Sequence, residues 1–432
     1  MVAPSDYVRD AGLPGSEMPL RSIQVPRRFV KEAWGGTETT ILETSRALIA
    51  SGNPTSVFTS LSLSDKTFEQ IGGIDVHRFT YNYPFFGLSA DEQADMDQKG
   101  GNLLSFALLR ALSKEPGIDL LHAHSSKRLG GIVRTAAKLR RIPYVVSLHG
   151  GVFDVPVEEN AALLAPIRGK TEWGKPFGML LGSRRVLEDA AAIVCVGQAE
   201  HDAAKKLLPK KRIELLPNGV DSCRFAAGDA ANFRRRYAIP TDTKLILCIS
   251  RIDPQKAQHT LIEAMPRILH AEPACRLVLV GPVTRPDYLR RMEDQVRELG
   301  LREIVQILPG LAPDDPLLAD AYHAADVFCL PSMHEPFGIV ILEAWAAGRP
   351  VVASRVGGIP GFVRDGVDTL LATPGAADEL ANRLISVLEN PELGRALGKA
   401  GRRRAQTEFD WAVVSDQLLA LYRDLTNGGR RE

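Results

Sequence analysis

Two glutamates with seven residues between them stand in the segment Ser332-Met333-His334-Glu335-Pro336-Phe337-Gly338-Ile339-Val340-Ile341-Leu342-Glu343. The apolar run before it, 325–330, ends in Pro331-Ser332 and reads as a buried strand feeding a helix. Glu335 then falls in the turn, and Pro336 at or near the first helical turn, where a missing N–H is harmless. A helix from Gly338 to Glu343 rises roughly 7 Å at about 1.5 Å per residue. One elongated ligand would meet Glu335, then the unpaired amides at Gly338, Ile339 and Val340, then Glu343. Amides and dipole at a helix start favour an anion such as a diphosphate, and the flanking carboxylates suit hydroxyl groups. The implied ligand is sugar, diphosphate and ribose in line, a nucleotide sugar.

Further candidates fall at strand ends. Ser250-Arg251-Ile252-Asp253-Pro254-Gln255-Lys256 follows the apolar run 245–250. Arg251 offers a planar fork for phosphate oxygens and Lys256 a mobile point charge. A basic loop alone is more often solvated surface; a strand-end position in the same half as Glu335 favours the phosphate reading. Trp34-Gly35-Gly36-Thr37-Glu38 precedes a helical pattern, where paired glycines allow close backbone approach to a ligand. It is not a G-x-G-x-x-G fingerprint, which disfavours a dinucleotide site, and a plain structural turn is an equal reading. Ser147-Leu148-His149-Gly150-Gly151 opens another strand into a glycine turn; His149 can donate to a sugar hydroxyl or to developing negative charge, or be a buried, hydrogen-bonded histidine. His122 and His124 alternate onto one face of the preceding strand. No third ligand accompanies them, so cleft lining is preferred to metal binding. The loop 354–361, rich in glycine, borders the cleft or is a turn; Trp411 reads as a packing anchor.

These residues need a scaffold that brings strand ends together. Short apolar, β-branched runs (22–25, 55–59, 74–79, 120–122, 144–148, 192–196, 212–216) alternate with helical patterns, which implies a parallel sheet covered on both faces. The pattern breaks at Pro217-Asn218-Gly219-Val220-Asp221 and a polar stretch to about residue 240, then restarts with runs at 245–250, 276–280, 305–308, 327–330, 351–353 and 370–372. The expected architecture is two doubly wound α/β units facing across a cleft, with ligands outside the carboxyl ends of the strands. The segment 82–102 is polar and mixed, and reads as a mobile insert near the cleft.

Composition sets outer bounds. A chain of 432 residues exceeds one ordinary core. A formal net charge of +1 gives no global attraction for nucleic acid or anionic lipid, and Arg234–Arg236 and Arg402–Arg404 read as solvated helix faces. The five widely spaced cysteines fit reduced, mostly buried thiols rather than zinc or disulfides. No run approaches the ~20 apolar residues of a membrane span. Residues 1–20 lack the pattern of a secretory signal and read as a flexible leader, so a cytoplasmic location is expected.

The Glu335/Glu343 motif, Gly35-Gly36-Thr37-Glu38, Pro217-Asn218-Gly219-Val220-Asp221, Arg251 with Lys256, and Gly348-Arg349-Pro350-Val351-Val352-Ala353 together resemble the GT-B glycosyltransferases, specifically the retaining family 4. The resemblance runs from about Ile23 to Leu425. It implies a leader (1–20), an acceptor domain (21–225), a donor domain (226–408) and a last helix crossing back (409–432). It also implies that Arg251 and Lys256 bind the donor diphosphate, that Glu335 holds sugar hydroxyls beside the backbone of 337–340, and that Glu343 binds the ribose. His149 corresponds to the family's histidine near the reacting centre and Gly36 to the loop amide near phosphate and acceptor; Gly35, Thr37, His124 and Asn218 join as cleft or acceptor candidates. No metal or cofactor is implied, the donor being a UDP-, GDP- or ADP-sugar. The expected reaction is hexosyl transfer to an acceptor hydroxyl with retention, the leaving phosphate taking the acceptor proton. One departure is the longer basic loop 26–34, whose Arg27, Arg28 and Lys31 hint at an anionic acceptor: a phosphorylated sugar, a nucleotide or a lipid phosphate. Rival readings are a same-fold epimerase or phosphorylase and a non-catalytic nucleotide-sugar-binding protein.

Overall fold

The computed structural model describes residues 18–150, 165–312 and 314–428; most of the expected leader, and Gly151, lie outside the described residues. The first unit is built on β1 (Ser22–Val25), β2 (Thr55–Ser60), β3 (Phe68–Ile71), β4 (Ile74–Phe79), β5 (Leu120–Ala123), β6 (Tyr144–Leu148), β7 (Ala192–Cys195) and β8 (Ile213–Leu215). They form one sheet in the order β3-β4-β2-β1-β5-β6-β7-β8. The second unit holds β9 (Lys244–Ile249), β10 (Cys275–Val280), β11 (Val305–Leu308), β12 (Val327–Leu330), β13 (Val351–Ser354) and β14 (Leu370–Ala372), in the order β11-β10-β9-β12-β13-β14. Pairing is parallel except between β3 and β4. There Gly72 and Gly73, at φ +58° and +85°, supply the two positive-φ residues that a tight hairpin needs.

The order in which strands are added reverses between β1 and β5 in one sheet and between β9 and β12 in the other, although each of these pairs is parallel. Such switch points open a crevice at the strand carboxyl ends. The four loops leaving them carry the Gly35-Gly36 turn, His124, Arg251 with Lys256, and Glu335. Buried strands are near-continuous apolar runs because helices cover both faces; Val145, Val146, Leu247, Val278 and Phe328 are fully buried.

The turn-rich stretch after β8 is more ordered than its polarity suggests. Asp221 and Asp229 cap the short helices Ser222–Ala226 and Ala230–Arg236, and Phe225 and Phe233 enter the second unit's core. The segment 82–102 contains the helix Ala90–Lys99, started by a reciprocal Ser89/Glu92 capping box. Arg234 and Arg404 are also structural: Arg234 donates to the carbonyls of Pro240, Thr243 and Ala324, and Arg404 pairs with Asp368 and Glu408. Four cysteines are buried and Cys223 is exposed; all five are free thiols.

The last helix, Trp411–Gly428, leaves the second unit and packs on the first, against the helix Gly36–Ala50. Leu418, Leu419, Leu421 and Tyr422 pack with Leu48, Leu120, Val145 and Val194. Its entry is tight, since a Cβ on Gly219 would lie 2.5 Å from the Trp411 ring. Among the described residues no helix is long and apolar enough to cross a membrane.

Candidate functional site

The turn after β12 holds the first glutamate. Glu335 is 7% exposed, and its Oε2 accepts from Lys256 Nζ at 2.7 Å. Lys256 reaches it from a short 3₁₀ turn, Pro254–Lys256, started by the Asp253 side chain accepting from the Gln255 amide. The two loops are laced together, because the amides of Met333 and His334 both donate to the Gln255 carbonyl. Beneath them passes the loop 354–361. The Gly358 amide donates to the Glu335 carbonyl at 2.9 Å, and a Cβ on Gly357 or Gly358 would fall about 2 Å from the carbonyl oxygens of Glu335 or Pro336. This loop is therefore the floor of the Glu335 turn, a role its sequence signalled only as a glycine-rich strand end.

The helix after this turn runs from Ile339 to Ala346, so it begins three residues after Pro336. Gly338 is its N-cap at φ +100°, a left-handed conformation suited to glycine, so Pro336 lies in the turn. Glu343, one turn along, is half-buried, and Oε2 accepts from Tyr322 Oη at 2.5 Å. Burial raises the Glu343 pKa, while the Tyr322 hydrogen bond and Arg224 oppose that rise. Ile339 and Glu343 line a cavity of about 520 Å³ between the units, with Trp34 and Arg46 on one side and Arg224 and Leu318 on the other. Tyr322, which orients Glu343, was not singled out by sequence; its only signal is an aromatic polar residue inside an apolar helix.

Arg251 is exposed at the carboxyl end of β9, on the same loop as Lys256. Gly281 crosses directly behind, where a Cβ would overlap the Ser250 carbonyl.

The first unit meets the glutamate turn through its two glycine turns. Gly150, at φ +85°, lies so close that a Cβ there would sit 2.5 Å from Pro336 Cβ, and a Cβ on Gly36 would be 3.3 Å from Ile339 Cδ1. His149 and Gly36 are thereby brought to the Glu335–Ile339 segment. Gly35, Gly36, Thr37, His124 and His149 line a second cavity of about 410 Å³, together with Arg27, Arg28, Glu38 and Lys127. Asn218 is buried and accepts from Thr40 at 2.8 Å, so it ties the segment between the units to the Gly36–Ala50 helix. Arg27 and Arg28 donate to the carbonyls of Met96, Asp97 and Gln98, so their guanidiniums also cap the Ala90–Lys99 helix. Lys31 lines the other cavity, beside Trp34.

The three histidines share one network. His124 Nδ1 lies 2.8 Å from His149 Nε2, and His124 Nε2 is 2.9 Å from Gln24 Oε1. Burial pulls His149 down to about 4 and His122 to about 3, and holds His124 well below the usual imidazole range. All three are neutral at pH 7. Among the described residues no group of three or more His, Cys, Asp or Glu is placed to hold a metal ion.

Residues 34–224 match the model of "Glycosyltransferase Family 4", and residues 229–404 that of "Glycosyl transferases group 1". A D-inositol 3-phosphate glycosyltransferase of Geodermatophilus obscurus is 33% identical over 406 residues, covering 90% of this chain and 84% of that protein. Among solved structures, sucrose-phosphate synthase of Thermosynechococcus elongatus superposes with a TM-score of 0.71 at 24% identity, covering 94% of this chain and 100% of that one. Anabaena HepE, in complex with UDP and glucose, superposes with a TM-score of 0.68 at 20% identity, again covering 94% and 100%. These two likenesses establish the fold.

Proposed function

The chain belongs to glycosyltransferase family 4 and is a glycosyltransferase using a nucleoside diphosphate sugar; from that premise we propose that it moves a hexosyl group to a hydroxyl of a small phosphorylated polyol, with retention of anomeric configuration. The observation that supports this reading most is the Lys256–Glu335 pair set at the start of the Glu343 helix, with His149–Gly150 pressed against it from the other unit.

In this reading Glu335 accepts from donor-sugar hydroxyls through the oxygen turned away from Lys256. An ammonium has three donors, so Lys256 serves Glu335 and still reaches a diphosphate oxygen. Arg251, exposed on the same loop, adds a planar fork, and the helix-start amides at Gly338, Ile339 and Val340 supply further donors. Together they stabilise the charge of the departing nucleotide, by preorganised electrostatics rather than proton transfer from a side chain. Glu343, oriented by Tyr322, accepts from the ribose hydroxyls. The leaving phosphate takes the acceptor proton as attack occurs on the face it departs from, which retains configuration. Glu335 is already committed to Lys256, which disfavours it as a covalent nucleophile.

For the acceptor, the name of the Geodermatophilus relative and the basic lining of the 410 Å³ cavity by Arg27, Arg28 and Lys127 favour a phosphorylated polyol. The test is a panel of UDP-, GDP- and ADP-hexoses incubated with inositol 3-phosphate or unphosphorylated inositol, with nucleoside diphosphate release and glycosylated product both measured. Release that depends on the phosphorylated acceptor is expected. Acceptor-independent epimerisation of the donor, or phosphate-dependent cleavage, would assign the chain to another reaction class.

A further inference from the structure

Behind His149 the first unit buries a chain of polar groups that passes through the last helix and returns to Ser147. His124 bridges His149 and Gln24; Gln24 Nε2 lies 3.2 Å from Tyr422 Oη; Tyr422 Oη lies 2.5 Å from His122 Nδ1; and His122 Nε2 lies 2.7 Å from Ser147 Oγ. Gln24, His122, Ser147 and Tyr422 are each 5% exposed or less. A buried polar group without a partner is costly, so every link must pair one donor with one acceptor. Each neutral imidazole has one N–H, and the chain therefore runs in a single direction from end to end.

The distances select the direction. A separation of 2.5 Å suits a phenol O–H donating to an imidazole nitrogen, whereas 3.2 Å suits an amide N–H donating to the phenol oxygen. Gln24 thus gives its amide proton to Tyr422 and presents its carbonyl oxygen to His124. His124 must then carry its proton on Nε2 and accept at Nδ1, so His149 donates from Nε2 and keeps a bare Nδ1. We propose that Gln24 and Tyr422 are positioning residues which hold His149 as the Nε2–H tautomer, tying the seating of the C-terminal helix to the reaction centre. A bare Nδ1 accepts from a hydroxyl and has no proton for an anion, which narrows His149 to recognising a hydroxyl group. Both chain ends, His149 and Ser147, line the same 410 Å³ cavity.

The effect on turnover rests on the reading of His149 as lying at the reaction centre; the tautomer does not, and the two are measured separately. In the full chain labelled with ¹⁵N-histidine, multiple-bond ¹H–¹⁵N spectra should show His122, His124 and His149 all as Nε2–H tautomers. Tyr422→Phe leaves Gln24 free to flip, which should convert His149 to a tautomer mixture and lower kcat about tenfold, with donor KM changed by no more than about twofold. Gln24→Leu should do the same. An Nδ1–H tautomer of His149 in the unaltered protein would overturn the proposal even if neither variant folded. A changed tautomer with unaltered kcat would break the link between the helix and the reaction centre.

Discussion

Lys256 and Glu335 form the most consequential pair in the cleft, and their separation of 2.7 Å allows two roles to be told apart. Both side chains are largely withdrawn from water, at 13% and 9% exposure. At an effective dielectric of about 20 their attraction is about 6 kcal/mol, most of it offset by desolvation. Removing Lys256 alone strands the Glu335 charge, so Lys256→Met should destabilise the protein by about 3–5 kcal/mol. If Lys256 is a donor to the leaving diphosphate as proposed, the same substitution should lower kcat by about 10²–10³-fold. Sequence reasoning alone expects loss of activity with the fold intact; the ion pair adds the stability cost. The double variant Lys256→Met/Glu335→Gln removes both charges and should regain most of the stability while remaining inactive. Urea unfolding of the four proteins, together with donor turnover, forms the double-mutant cycle. Recovered turnover in the double variant would refute the leaving-group role of Lys256, and full stability in Lys256→Met would refute the buried ion pair.

Three other perturbations follow from the geometry. Glu343→Gln should raise donor KM about 10–100-fold with little change in kcat, because the proposed charged acceptor for the ribose is lost while the Tyr322 contact persists; an unchanged KM would remove Glu343 from the nucleotide site. Gly150→Ala places a Cβ against Pro336 at a positive φ, so a stability loss of about 1–2 kcal/mol and a fall in kcat are expected from thermal melts and kinetics; wild-type values would mean the two turns do not meet. The buried histidines also set an acid limit. Their folded-state pKa values lie below the ordinary 6.5, so the stability they contribute is present above pH 6.5 and is lost as pH falls toward about 4. Each adds on the order of 1.4 kcal/mol per pH unit in that window. Stability that stayed level between pH 6.5 and 5 would contradict neutral, buried imidazoles.

The parts of the site legible in the sequence are those whose signal is local. Glu335 and Glu343 share one strand–turn–helix segment, His149 follows directly on a strand end, and Lys256 and Gly36 lie in the loops that leave strand ends, so the parallel architecture alone sends them to one cleft. The helix start at Ile339 was legible as well; the place of Pro336 was less so, because Gly338, with its left-handed backbone, sets the boundary and leaves the proline in the turn. The Ala90–Lys99 helix did have a signal, the Ser89/Glu92 spacing of a capping box, masked by a polar surface with no apolar period. Gln24 and Tyr422 had none. They lie 398 positions apart and meet only because the last helix returns to the first sheet. Tyr322 is similar, since its polar atom matters only once β12 and the following helix have placed Glu343 beside it. Arg27 and Arg28 show the opposite case. Their charges stand out in sequence, yet their guanidiniums also serve the end of a neighbouring helix.

Retaining transfer to a phosphorylated polyol is tested most directly by an NMR time course of the protein with an α-configured nucleoside diphosphate hexose and inositol 3-phosphate. Nucleoside diphosphate and an α-linked glycosyl inositol phosphate should accumulate together, and neither should form when the acceptor is withheld. A β-linked product, or donor consumed with no sugar attached to the acceptor, would contradict retaining transfer.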